Sequence, residues 1–190
     1  MKERPAGRKT VVYTIGHSTR PVSEFMEIIK GYEIKKVVDV RTIPKSRYNP
    51  QFNGDMLRET LRAVNISYLH IRGLGGLRLA RKDSPNNAWK NSSFRGFADY
   101  MQTVEFEESL QILIEEAEKQ ATAIMCAEAV PWRCHRSLIG DALLIHNFLV
   151  MHIMGMSTTR KHTLTPWAKV KDKKITYPQT VSPENGKEEG

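Results

Sequence analysis

Residues 122–144, TAIMCAEAVPWRCHRSLIGDALL, decide how the rest of the chain is read. TAIMCA (122–127) is an apolar run of strand length, and SLIGDALLIHNFL (137–149) is an apolar stretch with helical spacing. The segment between them is polar and carries Glu128, Arg133, Cys134, His135 and Arg136. A buried strand that ends in a charged loop and re-enters as a buried helix is the repeating step of an α/β domain.

The same step recurs outward from this stretch. VVYTI (11–15) reads as a buried strand closed by Gly16, followed by a helix over 22–31. KKVVDV (35–40) and ISYLHI (66–71) are further strands, with a helix over 55–64 between them. Residues 72–95, rich in Gly, Arg, Asn and Ser, form a surface loop, and helical periodicity returns over 97–120 as a short helix followed by a longer one with Leu110, Leu113 and Ile114. VMHIM (150–154) supplies a fifth strand, and 163–178 a hairpin turning at Asp172–Lys173. The expected fold is α/β: a single domain over 11–178 with a mainly parallel sheet flanked by helices, plus a C-terminal β-hairpin. Polar tails are expected at 1–10 and 179–190.

A chain of 190 residues is long enough to bury a core without disulfide staples. It has two cysteines and no apolar run behind its basic N-terminus, which points to free thiols in a reducing cytoplasm. The longest apolar stretch is interrupted by His146, Asn147 and His152 and is too short to span a bilayer. Lys and Arg outnumber Asp and Glu by 29 to 21, a net charge of +8 that favours an anionic small molecule or nucleic acid as partner.

In open α/β sheets ligands bind beyond the carboxyl ends of the strands. Polar residues collect there: His17 and Ser18 after the first strand, Asp39 and Arg41 at the second, Cys126 and Glu128 at the fourth. Together with GLGGLR (73–78), SFRGFADYM (93–101), the CAE…CHR pair of motifs, LTPWAKV (164–170) and ITYP (175–178), these motifs resemble the bacterial and archaeal family known as domain of unknown function 488. The resemblance implies an α/β fold and no activity. It marks His17, Ser18, Asp39, Arg41, Gly75, Gly76, Arg95, Cys126, Glu128, Cys134, His135 and Arg136 as motif positions.

The residue types themselves suggest chemistry. Cys134 precedes a helix and is flanked by cations, both of which stabilise a thiolate, so it is a candidate nucleophile. Cys126, in an apolar strand, reads as a small buried side chain. A phosphatase loop is excluded, because the position six after Cys134 is Gly140 and that after Cys126 is Trp132, neither an arginine. His17, Asp39 and Glu128 are candidate acid–base groups. Ser18, Arg41, Arg78, Arg95, His135 and Arg136 are candidate anion contacts. Cys126, Cys134 and His135 are potential ligands to zinc or iron, although the spacing matches no structural zinc motif. The loop 72–95, with Trp89 and Phe94 among its basic residues, suits a lid or a base-stacking platform.

The expectation is therefore an enzyme acting on a phosphate-bearing substrate, a nucleotide or nucleic acid. Its chemistry could be that of a hydrolase, a glycosylase or a sulfurtransferase. A non-enzymatic nucleic-acid-binding module and a metal-dependent enzyme are the alternatives.

Overall fold

A computed structural model describes residues 9–179. The expected tails, 1–10 and 179–190, lie outside the described residues except for 9, 10 and 179. Of these, Thr10 accepts a backbone hydrogen bond from Leu149, and the Gln179 N–H donates to the Asn87 side chain at 2.7 Å.

In chain order the elements are β1 (Val11–Gly16), α1 (Val22–Gly31), β2 (Lys36–Asp39), α2 (Gly54–Arg62), β3 (Ser67–His70), α3 (Ser92–Tyr100) and α4 (Val104–Lys119). Then follow β4 (Thr122–Cys126), α5 (Arg136–Ile145), β5 (Leu149–Ile153), β6 (Thr159–Lys161), β7 (Lys169–Lys171) and β8 (Lys174–Thr176). The main sheet runs β3-β2-β4-β1-β5-β6, parallel except for β6, and β7 with β8 forms a separate hairpin. The hairpin turns at Asp172–Lys173, both with positive φ, the geometry of a tight two-residue turn.

Central strands are apolar on both sides because both faces are covered. In β4, Ile124 and Cys126 face the core beneath α3, α4 and α5, whereas Ala123 and Met125 face the core beneath α1 and α2. The chain leaves β2 for α2 on one face and leaves β4 for α5 on the other. Since β2 and β4 are neighbours, their connections diverge and a crevice opens between their carboxyl ends.

The periodicity over 97–120 is, as expected, a short helix and a longer one, divided where Thr103 caps α4 by accepting from Phe106 N–H. Two expected boundaries move. The helix after the quoted loop ends at Ile145, because Asn147 takes a left-handed φ of 66° and turns the chain into β5. Asn91 caps α3 by accepting from Ser93 N–H at 2.8 Å, so the loop closes earlier and Arg95 is helical. Strand β6 had no expected counterpart; it is three polar residues paired to β5.

The loop after β3 is tied down at its middle. Buried Asp99 accepts from Arg81 N–H, the Ser84 hydroxyl and Asn86 Nδ2–H, and the Asn86 side-chain oxygen accepts from Tyr177 N–H at 2.8 Å. That clamp joins the loop to the C-terminal hairpin.

Candidate active site

The crevice between β2 and β4 is a cavity of about 380 Å³. Arg41, Lys45, Arg133 and Glu128 give it charge, Ile43, Leu77 and Phe94 give it an apolar wall, and both cysteines and His135 line it.

Three side chains converge on Cys134. The Cys134 sulfur lies 3.7 Å from His135 Nδ1 and 3.4 Å from Arg136 Nε–H, and Cys126 donates its thiol proton to it. That bond from Cys126, with His135 and the Arg136 guanidinium, holds the Cys134 thiol well below its ordinary pKa against the opposing effect of burial. Cys126 moves the other way: its proton is held by the Cys134 sulfur, and burial adds to the effect. The two thiols are therefore shifted in opposite directions, and Cys134 is the more readily ionised of the pair.

His135 is seated from both sides. Its Nε2–H donates to the Val40 carbonyl at 3.0 Å, which turns Nδ1 toward the sulfur. A Cβ at Gly76 would stand 2.4 Å from Nδ1, so only glycine lets this loop pass over the ring. Gly16 is as confined: a Cβ there would be 1.9 Å from the Glu128 carbonyl oxygen, which fixes the β4–α5 loop against the end of β1.

Arg41 is held by a set of residues beneath the cavity. Its guanidinium donates to both oxygens of Asp39, to the Phe52 carbonyl at 2.8 Å and to His17 Nε2 at 3.2 Å. Asp39 is fully buried and also accepts from the Tyr68 hydroxyl. His17 donates from Nδ1 to the Ser18 carbonyl and stacks on Phe52 with centroids 4.3 Å apart. Burial and the Arg41 charge keep this imidazole neutral, while the Ser18 contact opposes them. His17 and Asp39, expected as acid–base groups, therefore spend their polar atoms positioning Arg41, and neither lines the cavity.

Arg136, expected as an anion contact, points inward instead. It is 1% exposed and donates to Thr14 Oγ1 at 3.2 Å and to the Glu128 carbonyl as well as to the Cys134 sulfur. Its charge is turned to the Cys134 sulfur rather than to the cavity. From Thr14 a hydrogen-bonded line runs on: Thr14 to His152 Nδ1 at 2.7 Å, His152 Nε2 to His162 Nδ1 at 3.0 Å, and His162 Nε2 to Asp141 at 2.9 Å. Because Asp141 accepts, each donor in the line is directed away from Arg136, and a chain of hydrogen bonds connects buried Arg136 to buried Asp141.

Burial pushes the His152 pKa down to about 3, helped by the neighbouring His162 and Arg136. The ring is neutral when folded and protonates when unfolded below 6.5, so its contribution to stability is complete above that pH and is lost as pH falls toward 3. One such group steepens acid unfolding by up to about 1.4 kcal/mol per pH unit. Urea denaturation at stepped pH is expected to show this slope below pH 6.5 in the parent and a shallower one in His152→Gln.

Of the other expected anion contacts, Arg78 lies over the Tyr100 ring at 3.5 Å and donates to the Gly73 and Gly75 carbonyls. Arg78, Arg95 and Ser18 do not line the cavity. Lys45 was missed, as it sits in a loop with no pattern around it. Glu128 is exposed at the rim, and its carboxylate pairs with no cation among the described residues.

Fold and site together define an α/β protein whose central sheet edge holds a pair of cysteines beneath a cavity lined by Arg41, Lys45, Arg133 and Glu128. The chain belongs to the family described as "Domain of unknown function DUF488", whose model matches residues 21–143. His17 and Ser18 and the C-terminal motifs LTPWAKV and ITYP lie outside that match. No curated protein and no solved structure matches the chain. Among the described residues, no helix is long and apolar enough to cross a membrane.

Proposed function

We propose that the protein is an enzyme that works through the Cys134 thiolate on an anionic, phosphate-bearing substrate, a nucleotide or nucleic acid, in a reducing cytoplasm. The observation that carries this reading is the convergence of Cys126, His135 and Arg136 on one sulfur at the base of a cavity lined by cations. A structural cysteine needs no such arrangement; a nucleophile does. Arg41, Lys45 and Arg133 receive the anion, and Glu128 at the rim is the group placed to move a proton. Hydrolysis and sulfur transfer both run through a covalent adduct on such a thiolate, which favours them over base excision.

A second reading has its own support. The ligand atoms of Cys126, Cys134 and His135 all lie within 4.8 Å of one another. Two thiolates and an imidazole suit zinc, leaving a fourth position open for catalysis. The His135 Nε2–H bond to a backbone carbonyl is also the usual outer contact of a metal-bound histidine. Against it, Arg136 already occupies the Cys134 sulfur with positive charge.

The two readings separate in the rate of Cys134 alkylation against pH, followed by mass spectrometry with and without a strong chelator. Rapid labelling well below the ~8.5 of an ordinary thiol, unaffected by chelator, is the expected result. Labelling that appears only after chelation supports the metal. Slow labelling in both conditions in folded protein sinks both, and leaves the non-enzymatic binding module.

A further inference from the structure

On the other side of the 131–135 segment lies a second cavity, of about 240 Å³, to which none of the groups around Cys134 contributes a side chain. Trp132 and Trp167 border it, 53% and 37% exposed, and Trp89 forms a wall edge-on to Trp167 at 5.3 Å. Arg160 lies over the Trp132 ring at 4.9 Å, and Lys161 follows it on the exposed strand β6. Trp89 Nε1–H is buried without a hydrogen-bond partner, the sole side-chain polar atom in that state among the described residues. Buried polar atoms are nearly always paired, so a donor without an acceptor beside a cavity is a feature with a cause.

Exposed indoles beside cations are the features with which proteins hold nucleotides: bases stack on the rings and phosphates pair with the charges. We propose that this cavity is a nucleotide subsite, with the base against Trp132 and Trp167 and the phosphate held by Arg160 and Lys161. Trp132 and Arg133 are consecutive yet line different cavities, so a nucleotide bound here lies one residue of chain away from the anion pocket. Any link to Cys134 rests on the substrate reading above, which the subsite narrows to a nucleotide or strand.

The test is the fluorescence anisotropy of a dye-labelled thymidine oligonucleotide bound by the intact protein, with thymidine monophosphate as competitor. Trp132→Ala and Trp167→Ala are expected to weaken binding about tenfold or more. Arg160→Gln is expected to flatten its salt dependence. All three side chains are exposed, and matched thermal melts confirm that the variants fold. Efficient competition by the mononucleotide supports a free nucleotide as ligand, and weak competition supports a strand. No binding by the parent protein, or affinities untouched by both tryptophan variants, overturns the subsite. Protection of Cys134 from alkylation by pyrophosphate reports the anion pocket alone. Its loss with nucleotide binding intact sinks the substrate reading and spares the subsite; the reverse result sinks the subsite only.

Discussion

Asp141→Ala is expected to remove about 3–5 kcal/mol of folding free energy, out of the roughly 5–15 kcal/mol typical of a domain. Its carboxylate is fully buried and accepts from His162 Nε2–H at 2.9 Å, the Tyr177 hydroxyl at 2.9 Å and Thr165 N–H at 3.0 Å. Each buried donor left without an acceptor costs ~1–3 kcal/mol, and alanine strands three of them together. The damage falls on the C-terminal segment, since Thr165 and Tyr177 belong to it. Urea denaturation gives the size of the loss and hydrogen exchange its location. A loss under ~1 kcal/mol would mean that the polar line through His152 and His162 does not hold the fold together. Asp141→Asn keeps the shape, and the Tyr177 hydroxyl can turn round to accept, so its cost is smaller.

At the other end of that line, Arg136→Met is expected to disable the thiolate as well as weaken the fold. Methionine fills much of the space but offers nothing to Thr14, the Glu128 carbonyl or the Cys134 sulfur, three acceptors that a single guanidinium now serves. Removing one partner of a buried charged pair costs about 3–5 kcal/mol. Without its cation the sulfur takes up a proton more readily, and the midpoint of Cys134 alkylation is expected to rise by one pH unit or more, about tenfold in thiolate at a fixed low pH. Arg136→Lys keeps the charge but cannot reach three acceptors, so it falls between. An unshifted alkylation midpoint in Arg136→Met would remove Arg136 from the account of Cys134. Because Arg136 and Asp141 are joined through Thr14, His152 and His162, the double variant should lose less than the two single losses added together.

Most of the fold was legible because its strands are buried on both faces. VVYTI, KKVVDV and TAIMCA are short apolar runs bounded by polar loops, a pattern that survives without any knowledge of partners. Strand β6 was not legible: its three residues are polar, and their extended form comes from pairing with β5 rather than from their own sequence. The edge at which the site lies was legible too, from the polar residues that end each strand. What the sequence withholds is direction. An arginine at the start of a helix looks the same whether it faces solvent or, as Arg136 does, a buried sulfur and Thr14. His17 and Asp39 looked like catalytic groups because they stand at strand ends; their ring nitrogens and oxygens are taken by Arg41, Ser18 and Tyr68. The line from Thr14 to Asp141 draws on residues far apart in sequence, of which only His152 was singled out, as a polar interruption of an apolar stretch.

The position of β1 bears on where this protein can be cut. It lies between β4 and β5, and its residues 11–16 precede the segment 21–143 that family likeness delimits. A polypeptide trimmed to 21–143 would retain Cys126, Cys134, His135 and Arg136, every side chain that meets the sulfur. It would lack Thr14, His152 and His162, and the strand against which the Glu128 carbonyl is pressed. Such a fragment would carry the reactive residues and the Val40 contact that seats His135, but not the Thr14 line that holds Arg136. The main sheet draws on strands from both sides of the matched segment, β1 before it and β5 and β6 after it.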